Sequence, residues 1–350
     1  MKYIKYLNPI VFYILAYISF TQQGIYCWLV PIYSFGVVPL LELVLPQNEL
    51  NMSAAEEELA KQDKTYDYLL YIIVLLQFPT LFFFLQSFST AALTITDVSG
   101  RIISMGILCG TFGINVGHEL GHRKNKLEQT LAKITLLSSL YMHFFIEHNK
   151  GHHKNVATPN DPSSARYNEI LYLFFFRTIG LSYISAWHIA NNDVKKLGKP
   201  TLSIYNEMLQ AHIIQLLLVG SIYFVFGGVI TLYFLGAALF GILLLETVNY
   251  IEHYGLQRKQ QANGNYERTM PQHSWNSNHT FGRLLLFELT RHSDHHYLAS
   301  RKYQILRHHN DAPQLPTGYP GSMLLATVPP LWFYVMNKRV KRIEADIIAK

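Results

Sequence analysis

Four short segments of the chain carry histidines at spacings that suit metal ligation. The first reads His118-Glu119-Leu120-Gly121-His122. Positions i and i+4 of a helix share a face, so both imidazoles reach one metal region. The second, Glu147-His148-Asn149-Lys150-Gly151-His152-His153, repeats that spacing and adds a third ring. The third, Arg291-His292-Ser293-Asp294-His295-His296, offers i, i+3 and i+4. A single histidine, His253, stands in Asn249-Tyr250-Ile251-Glu252-His253-Tyr254-Gly255. Neutral imidazole ligates iron, zinc, copper and nickel. Nine such nitrogens exceed what one ion uses, whereas two ions at four or five each keep open positions for a substrate such as dioxygen. His118, His122, His148, His152, His153, His253, His292, His295 and His296 therefore predict a dinuclear iron site.

Glu119, Glu147, Glu252 and Asp294 each adjoin one of these histidines. Successive helix residues point about 100° apart, so each acid is expected to accept an N–H from an imidazole of another segment. A plain helix-surface acid is the equal alternative. The remaining histidines, His143, His188, His212, His273, His279, His308 and His309, lack the cluster spacing and are expected to be structural. The first segment also matches the His-Glu-x-x-His motif of zinc proteases, with Glu119 as general base. That reading leaves seven histidines in matching clusters without a purpose, and ranks below the di-iron one.

The elements that must position these residues are membrane helices. Half the residues are apolar and only 15% are charged, against about 25% in soluble chains. That balance excludes disorder, a coiled coil and a nucleic-acid-binding module, despite a net charge of +6. Cys27 and Cys109 both lie in apolar stretches, which leaves no disulfide framework and no cysteine zinc site. Apolar runs are read near 8–25, 27–45, 67–88, 101–120, 208–226 and 228–250. Several approach the ~20 residues that cross a bilayer core. The first follows Lys2 and Lys5 without a clean cleavage site, and is read as an uncleaved span.

Basic residues come in blocks: eleven from Gly121 to Lys199, thirteen from Arg258 to Lys350, and none between Pro200 and Gln257. The positive-inside rule puts both blocks in the cytoplasm, and all four histidine segments with them. Leu127 to Ile146 and Glu169 to Ile189 are then helices that stay at that face. The expected fold is all-α: about six transmembrane helices with a cytoplasmic histidine-rich cap. Its division is expected at residues 1–253, transmembrane, and 254–350, a cytoplasmic region bearing the last cluster.

These motifs resemble those of the integral-membrane alkane 1-monooxygenases, the alkane ω-hydroxylases. The resemblance rests on H-E-L-G-H, E-H-N-K-G-H-H, N-Y-I-E-H-Y-G-L and R-H-S-D-H-H. It extends to Ala157-Thr158-Pro159-Asn160-Asp161-Pro162, Ser274-Trp275-Asn276-Ser277 and Leu315-Pro316-Thr317-Gly318-Tyr319. It covers about Ile107 to Val335, with departures at Arg123, where the family has lysine, and at Leu289-Thr290-Arg291, where it has Leu-Gln-Arg. It implies six transmembrane helices, two iron ions held by histidines, rubredoxin as electron donor, and a site on the cytoplasmic side of a bacterial inner membrane. Terminal hydroxylation of medium- or long-chain n-alkanes by dioxygen is the implied activity. Fatty-acyl desaturases and hydroxylases have similar histidine boxes but lack the N-Y-x-E-H-Y-G segment.

An alkane has no polar handle and dissolves in lipid, so its site is expected to open into the bilayer. If 101–122 is one helix, Ile107, Thr111 and Ile114 share the face of His118 and His122, and Gly106, Gly110 and Gly113 permit close helix packing. That face is expected to wall a substrate channel, with a plain helix–helix contact as the nearly equal alternative. The basic surface between Arg258 and Arg307 could attract an acidic electron donor, although the positive-inside rule alone also demands it.

Overall fold

Helices dominate the computed structural model, which describes residues 3–89 and 92–349, and no strand forms among them. Five helical stretches are long and apolar enough to cross a membrane: Gly24–Val44, Thr65–Gln86, Ile95–Gly121, Glu207–Phe226 and Gly228–His253. They correspond to five of the six expected spans. The sixth, 8–25, becomes the 13-residue helix Pro9–Thr21, about 20 Å long at 1.5 Å per residue. It stops at Gln22-Gln23-Gly24, where Gly24 adopts φ +66° and a 3-10 turn, Gly24–Trp28, begins. The outward faces of the spans are apolar: Phe224 is 87% exposed, Val225 72% and Leu216 70%. Such a belt is stable against acyl chains, not against water.

The two ambiguous stretches do not add spans. Leu127 to Ile146 breaks into a helix Lys126–Leu137, a turn with Leu140 at φ +53°, and one helical turn Phe144–Glu147. Leu171–Lys196 is long enough at 26 residues, but it carries Arg177, Asp193, Lys195 and Lys196 and is not among the spans. Cys27 and Cys109 are both buried free thiols.

The chain divides into two compact units, each assembled from separated stretches. The first comprises Met1–Gly36, Asp63–Lys150 and Tyr183–Leu245. Here the Ile95–Gly121 span lies close against Gly228–His253: a Cβ on Gly106 would come within 2.7 Å of Phe240 Cβ, and one on Gly110 within 2.8 Å of the Gly241 carbonyl. Only glycine allows that approach. Gln77 is fully buried in the same unit, accepting from Tyr13 Oη at 2.9 Å and donating to Ser138 Oγ at 3.1 Å. The second unit comprises Val37–Gln62, Gly151–Ser182 and Glu246–Lys350. Its core is aromatic, with Tyr250, Tyr254, Trp275, Tyr303, Tyr319 and Trp332 among its fully buried side chains. Sequential distance hides this grouping, because 37–62 and 151–182 join the C-terminal third only through tertiary contacts.

Among the described residues, three π-helical turns interrupt the helices, at Tyr33–Val37, Cys109–Ile114 and His148–His152. Such turns recur at functional sites because they re-aim side chains. Two of the three adjoin the histidine segments.

Candidate metal centre

Within the second unit, four histidines from three segments turn their Nε2 atoms toward one another. His253 ends the Gly228–His253 helix, His152 ends the π-turn, and His292 and His296 lie one turn apart on the short helix His292–Tyr297. That helix is fixed from outside. Ser293 N donates to Asn276 Oδ1 at 2.7 Å, Ser293 Oγ donates to the Ser274 carbonyl at 2.7 Å, and the Arg291 guanidinium donates to the Leu306 and Leu50 carbonyls. The Ser274-Trp275-Asn276 segment is therefore the seat of the third cluster.

The Nε2 atoms stand 2.9 Å apart for His296 and His292, 3.1 Å for His292 and His253, and 3.2 Å for His152 and His296. All four side chains are buried. Lone pairs packed this closely repel unless a cation lies among them. Bonds of about 2.1 Å at right angles would place ligand nitrogens about 3.0 Å apart, so the residues fit a first-row metal ion. Burial, then the charge of neighbouring histidines, holds His295 and His296 well below the ordinary imidazole pKa. That shift disfavours the protonated form and so favours the neutral imidazole that a metal requires.

Two more imidazoles of this unit, His153 and His295, bring Nε2 atoms to 3.1 Å. The His292, His295, His296 cluster is thus divided: i and i+4 join the tetrad, and i+3 faces His153. In the first unit, His118, His122 and His148 form a group with ring centroids 4.4 to 5.2 Å apart. His148 and His152, expected on one face, fall in different groups, because the turn joining them is π-helical.

Asp161 is the acid that the sequence reading missed. Its Oδ2 lies 2.9 Å from His152 Nδ1, and it accepts from Ser164 Oγ at 2.5 Å and from Ser163 N–H at 3.1 Å. Burial pushes its carboxyl up, but the facing His152 and these hydrogen bonds outweigh burial and leave it below the usual carboxylate value. It belongs to the Ala157-to-Pro162 motif, where acid nine residues from a ligand was the only available signal.

The four acids named from sequence have diverse partners. Glu252 Oε2 lies 3.2 Å from His292 Nε2, and Glu252 Oε1 accepts from Tyr319 Oη at 2.6 Å. Burial, then the charge of Glu252, pushes the Tyr319 phenol far above its ordinary pKa. Asp294 accepts from Arg301 at 2.6 Å and Arg307 N–H at 2.9 Å, and meets His309 Nε2 at 2.7 Å. It ties the His292–Tyr297 helix to the following loop that carries Arg301, Arg307 and His309. Glu119 accepts from Arg123 at 2.7 Å, and the same guanidinium lies 3.5 Å from Asp67. Arg123 thereby balances two buried carboxylates, one of them between His118 and His122. Glu147 accepts from Ser185 Oγ at 3.4 Å. Of the proposed channel residues, Ile107 and Ile114 are fully buried and Thr111 is half-buried. The π-turn Cys109–Ile114 adds one residue to a turn, so Ile107 is rotated from the face that uniform α-helix would give it.

Fold and site define an all-helical polytopic membrane protein with histidine clusters able to hold metal. Residues 99–323 match the family model described as fatty acid desaturase. Alkane 1-monooxygenase 1 of Alcanivorax borkumensis is 39% identical over 92% of this chain and 80% of its own length. Alkane 1-monooxygenase 2 of Pseudomonas aeruginosa is 39% identical over 90% and 84%, and the alkane 1-monooxygenase of Acinetobacter baylyi 39% over 89% and 76%. The chain belongs to the alkane 1-monooxygenases, within the fatty acid desaturase family.

Proposed function

We propose that the protein hydroxylates the terminal methyl group of medium- or long-chain n-alkanes, consuming dioxygen and electrons from rubredoxin, at two iron ions on the cytoplasmic side of a bacterial inner membrane. The observation that carries this reading is the convergence of four buried imidazole nitrogens at metal-ligand spacing, in a chain whose relatives are alkane 1-monooxygenases. Nine histidines serve as ligands. His152, His253, His292 and His296 hold one iron, His118, His122 and His148 supply ligands to the other, and His153 and His295 bring the number to nine.

Bound iron supplies the reductive activation of dioxygen that an unactivated C–H bond requires. Alkane, dioxygen, two electrons and two protons give alkanol and water. The residues of the chain do the rest. Asp161 holds a proton on His152 Nδ1, which leaves Nε2 free for metal and fixes the ring plane. Tyr319 holds one oxygen of Glu252 and aims the other at the tetrad. Burial of every tetrad side chain keeps bulk water away from the oxidising step.

Iron analysis of purified protein, followed by gas chromatography after incubation with octane, dioxygen and rubredoxin, tests the reading. Two irons per chain and 1-octanol are expected. His295→Ala and His148→Ala should lower bound iron and abolish hydroxylation; full iron and activity in either would remove that histidine from the ligand set. The family match also favours a second reading, desaturation or hydroxylation of fatty-acyl chains. Product from an acyl lipid, with octane untouched, would establish that one instead.

A further inference from the structure

The second unit surrounds its metal-binding segment with tyrosine and tryptophan, an unusual choice for a plain core. Tyr250, Tyr254 and Trp332 are fully buried. Their ring centroids form a triangle: 5.4 Å from Tyr250 to Tyr254, 5.5 Å from Tyr250 to Trp332 and 5.4 Å from Tyr254 to Trp332. Tyr254 follows His253 directly, and Tyr250 precedes it by three residues. Phenylalanine or leucine would fill this volume without the desolvation cost of three polar groups.

The hydrogen bonds separate the three rings by chemistry. Tyr250 Oη donates to the Glu169 carbonyl at 2.6 Å, and Tyr254 Oη donates to Asn337 Oδ1 at 2.8 Å. Neither acceptor is a base, so both phenols keep their protons and are hard to oxidise. Among the described residues the Trp332 Nε1–H has no hydrogen-bond partner, and an indole loses an electron without losing a proton. Trp332 is therefore where an oxidising equivalent comes to rest. Two residues further along the Pro329–Ala349 helix, Tyr334 is 65% exposed. Lys338 Nζ lies 3.7 Å from the Tyr334 ring centroid and disfavours positive charge there, so Tyr334 is oxidised only with loss of its proton to water.

We propose that Tyr250, Tyr254 and Trp332 conduct oxidising equivalents away from the metal centre when no alkane is bound, with Tyr334 as the outlet. The inference rests on the hydroxylase reading above, since dioxygen activated at the metals is its oxidant. One electron passes from Trp332 to the metal centre across the Tyr254 and Tyr250 rings, leaving a tryptophan radical cation. Tyr334 returns an electron to Trp332 and releases a proton to solvent, becoming a neutral phenoxyl. A soluble thiol gives a hydrogen atom to the phenoxyl, restores Tyr334 and becomes a thiyl radical. Two such passages supply the two electrons, and solvent the two protons, that alkane would have provided, so an activated centre that meets no substrate is quenched before it oxidises its own histidines.

Holoenzyme in detergent, its iron measured beforehand, is chemically reduced and mixed with dioxygen without alkane. Freeze-quench electron paramagnetic resonance and surviving hydroxylase activity are then followed. Wild type should show a tryptophan radical. Trp332→Phe, which keeps an aromatic ring in place, should lack it, lose activity several-fold faster and accumulate oxidised histidine by mass spectrometry, with its initial rate on octane near that of wild type. Tyr334→Phe, a surface change, should retain the radical several-fold longer, and tests the idea even if Trp332→Phe does not fold. No tryptophan radical in wild type, or equal survival of wild type and Trp332→Phe at equal iron content, would overturn the proposal. A chain that binds no iron would instead overturn the hydroxylase reading, and this proposal with it.

Discussion

Asp161 and His143 illustrate what single residues carry that spacing cannot reveal. The i, i+4 rule identified His152 from the sequence, but its carboxylate lies across a turn in which Ala157 adopts φ +55°, and no periodicity encodes that reversal. Because Asp161 fixes one tautomer of His152, Asp161→Asn should weaken metal binding by roughly 10- to 100-fold. Competition with a chelator, followed by iron analysis, measures it; unchanged affinity would reduce Asp161 to a loop anchor. His143 was expected to be structural, and its buried ring makes a titration that can be tested. Burial, then the charge of His212, lowers its pKa from 6.5 to about 4. The folded protein thus disfavours the protonated form. The stability this residue contributes is complete above pH 6.5 and is lost as pH falls toward about 4. His143→Phe keeps ring contacts to Tyr141 and Tyr183 while removing the titration. Thermal melts between those pH values should fall less steeply for the variant than for wild type.

Helices were legible where their apolar length was uninterrupted and illegible where local geometry broke the period. Five spans follow from composition, yet the π-turn Cys109–Ile114 leaves no mark in residue types, and it shifts the face assigned to Ile107. The glycine pattern was a better guide, since Gly106 and Gly110 do meet the Gly228–His253 helix closely. Gly110→Ala would drive a Cβ to 2.8 Å from the Gly241 carbonyl and 3.0 Å from Leu244 Cβ. A destabilisation of about 1–3 kcal/mol is expected from such overpacking. Gly220, in the Glu207–Phe226 helix, has nothing within 4 Å of an added Cβ. Gly220→Ala should stabilise by about 0.5–1 kcal/mol through helix propensity. Paired melting curves in one detergent decide both, and similar losses for the two would sink the close-packing account. Thr111→Phe probes the remaining role of this span. A channel wall would shift product from long toward short alkanes at constant iron, whereas a packing contact would lower folded yield without changing that ratio.

At the scale of the whole chain, charge and lipid exposure constrain one another. Only 11% of the Glu207–Phe226 window is buried, so that helix takes its stability from acyl chains, and a basic residue on it would be costly. The chain obeys this: no Lys or Arg lies between Pro200 and Gln257, while the stretches on either side are rich in both. Two spans, Glu207–Phe226 and Gly228–His253, are joined by a single tight turn at Gly227, which takes φ +83°. They therefore form a hairpin, and whatever precedes Glu207 and follows His253 faces the same compartment. Candidate ligand histidines flank both ends of it: His148, His152 and His153 before, and His292, His295 and His296 after. By the positive-inside rule that compartment is expected to be the cytoplasm. Reporter fusions after Lys154 and after Lys259 should both show cytoplasmic activity. A periplasmic result at Lys259 alone would mean that one arm of the hairpin does not cross, which would separate the third histidine cluster from the second by a bilayer. The 3.1 and 3.2 Å contacts from His153 to His295 and from His152 to His296 could not then exist. The same two fusions thus test the topology and the metal centre together: a periplasmic result at both positions would reverse the orientation and leave the centre intact, and a split result would dismantle it.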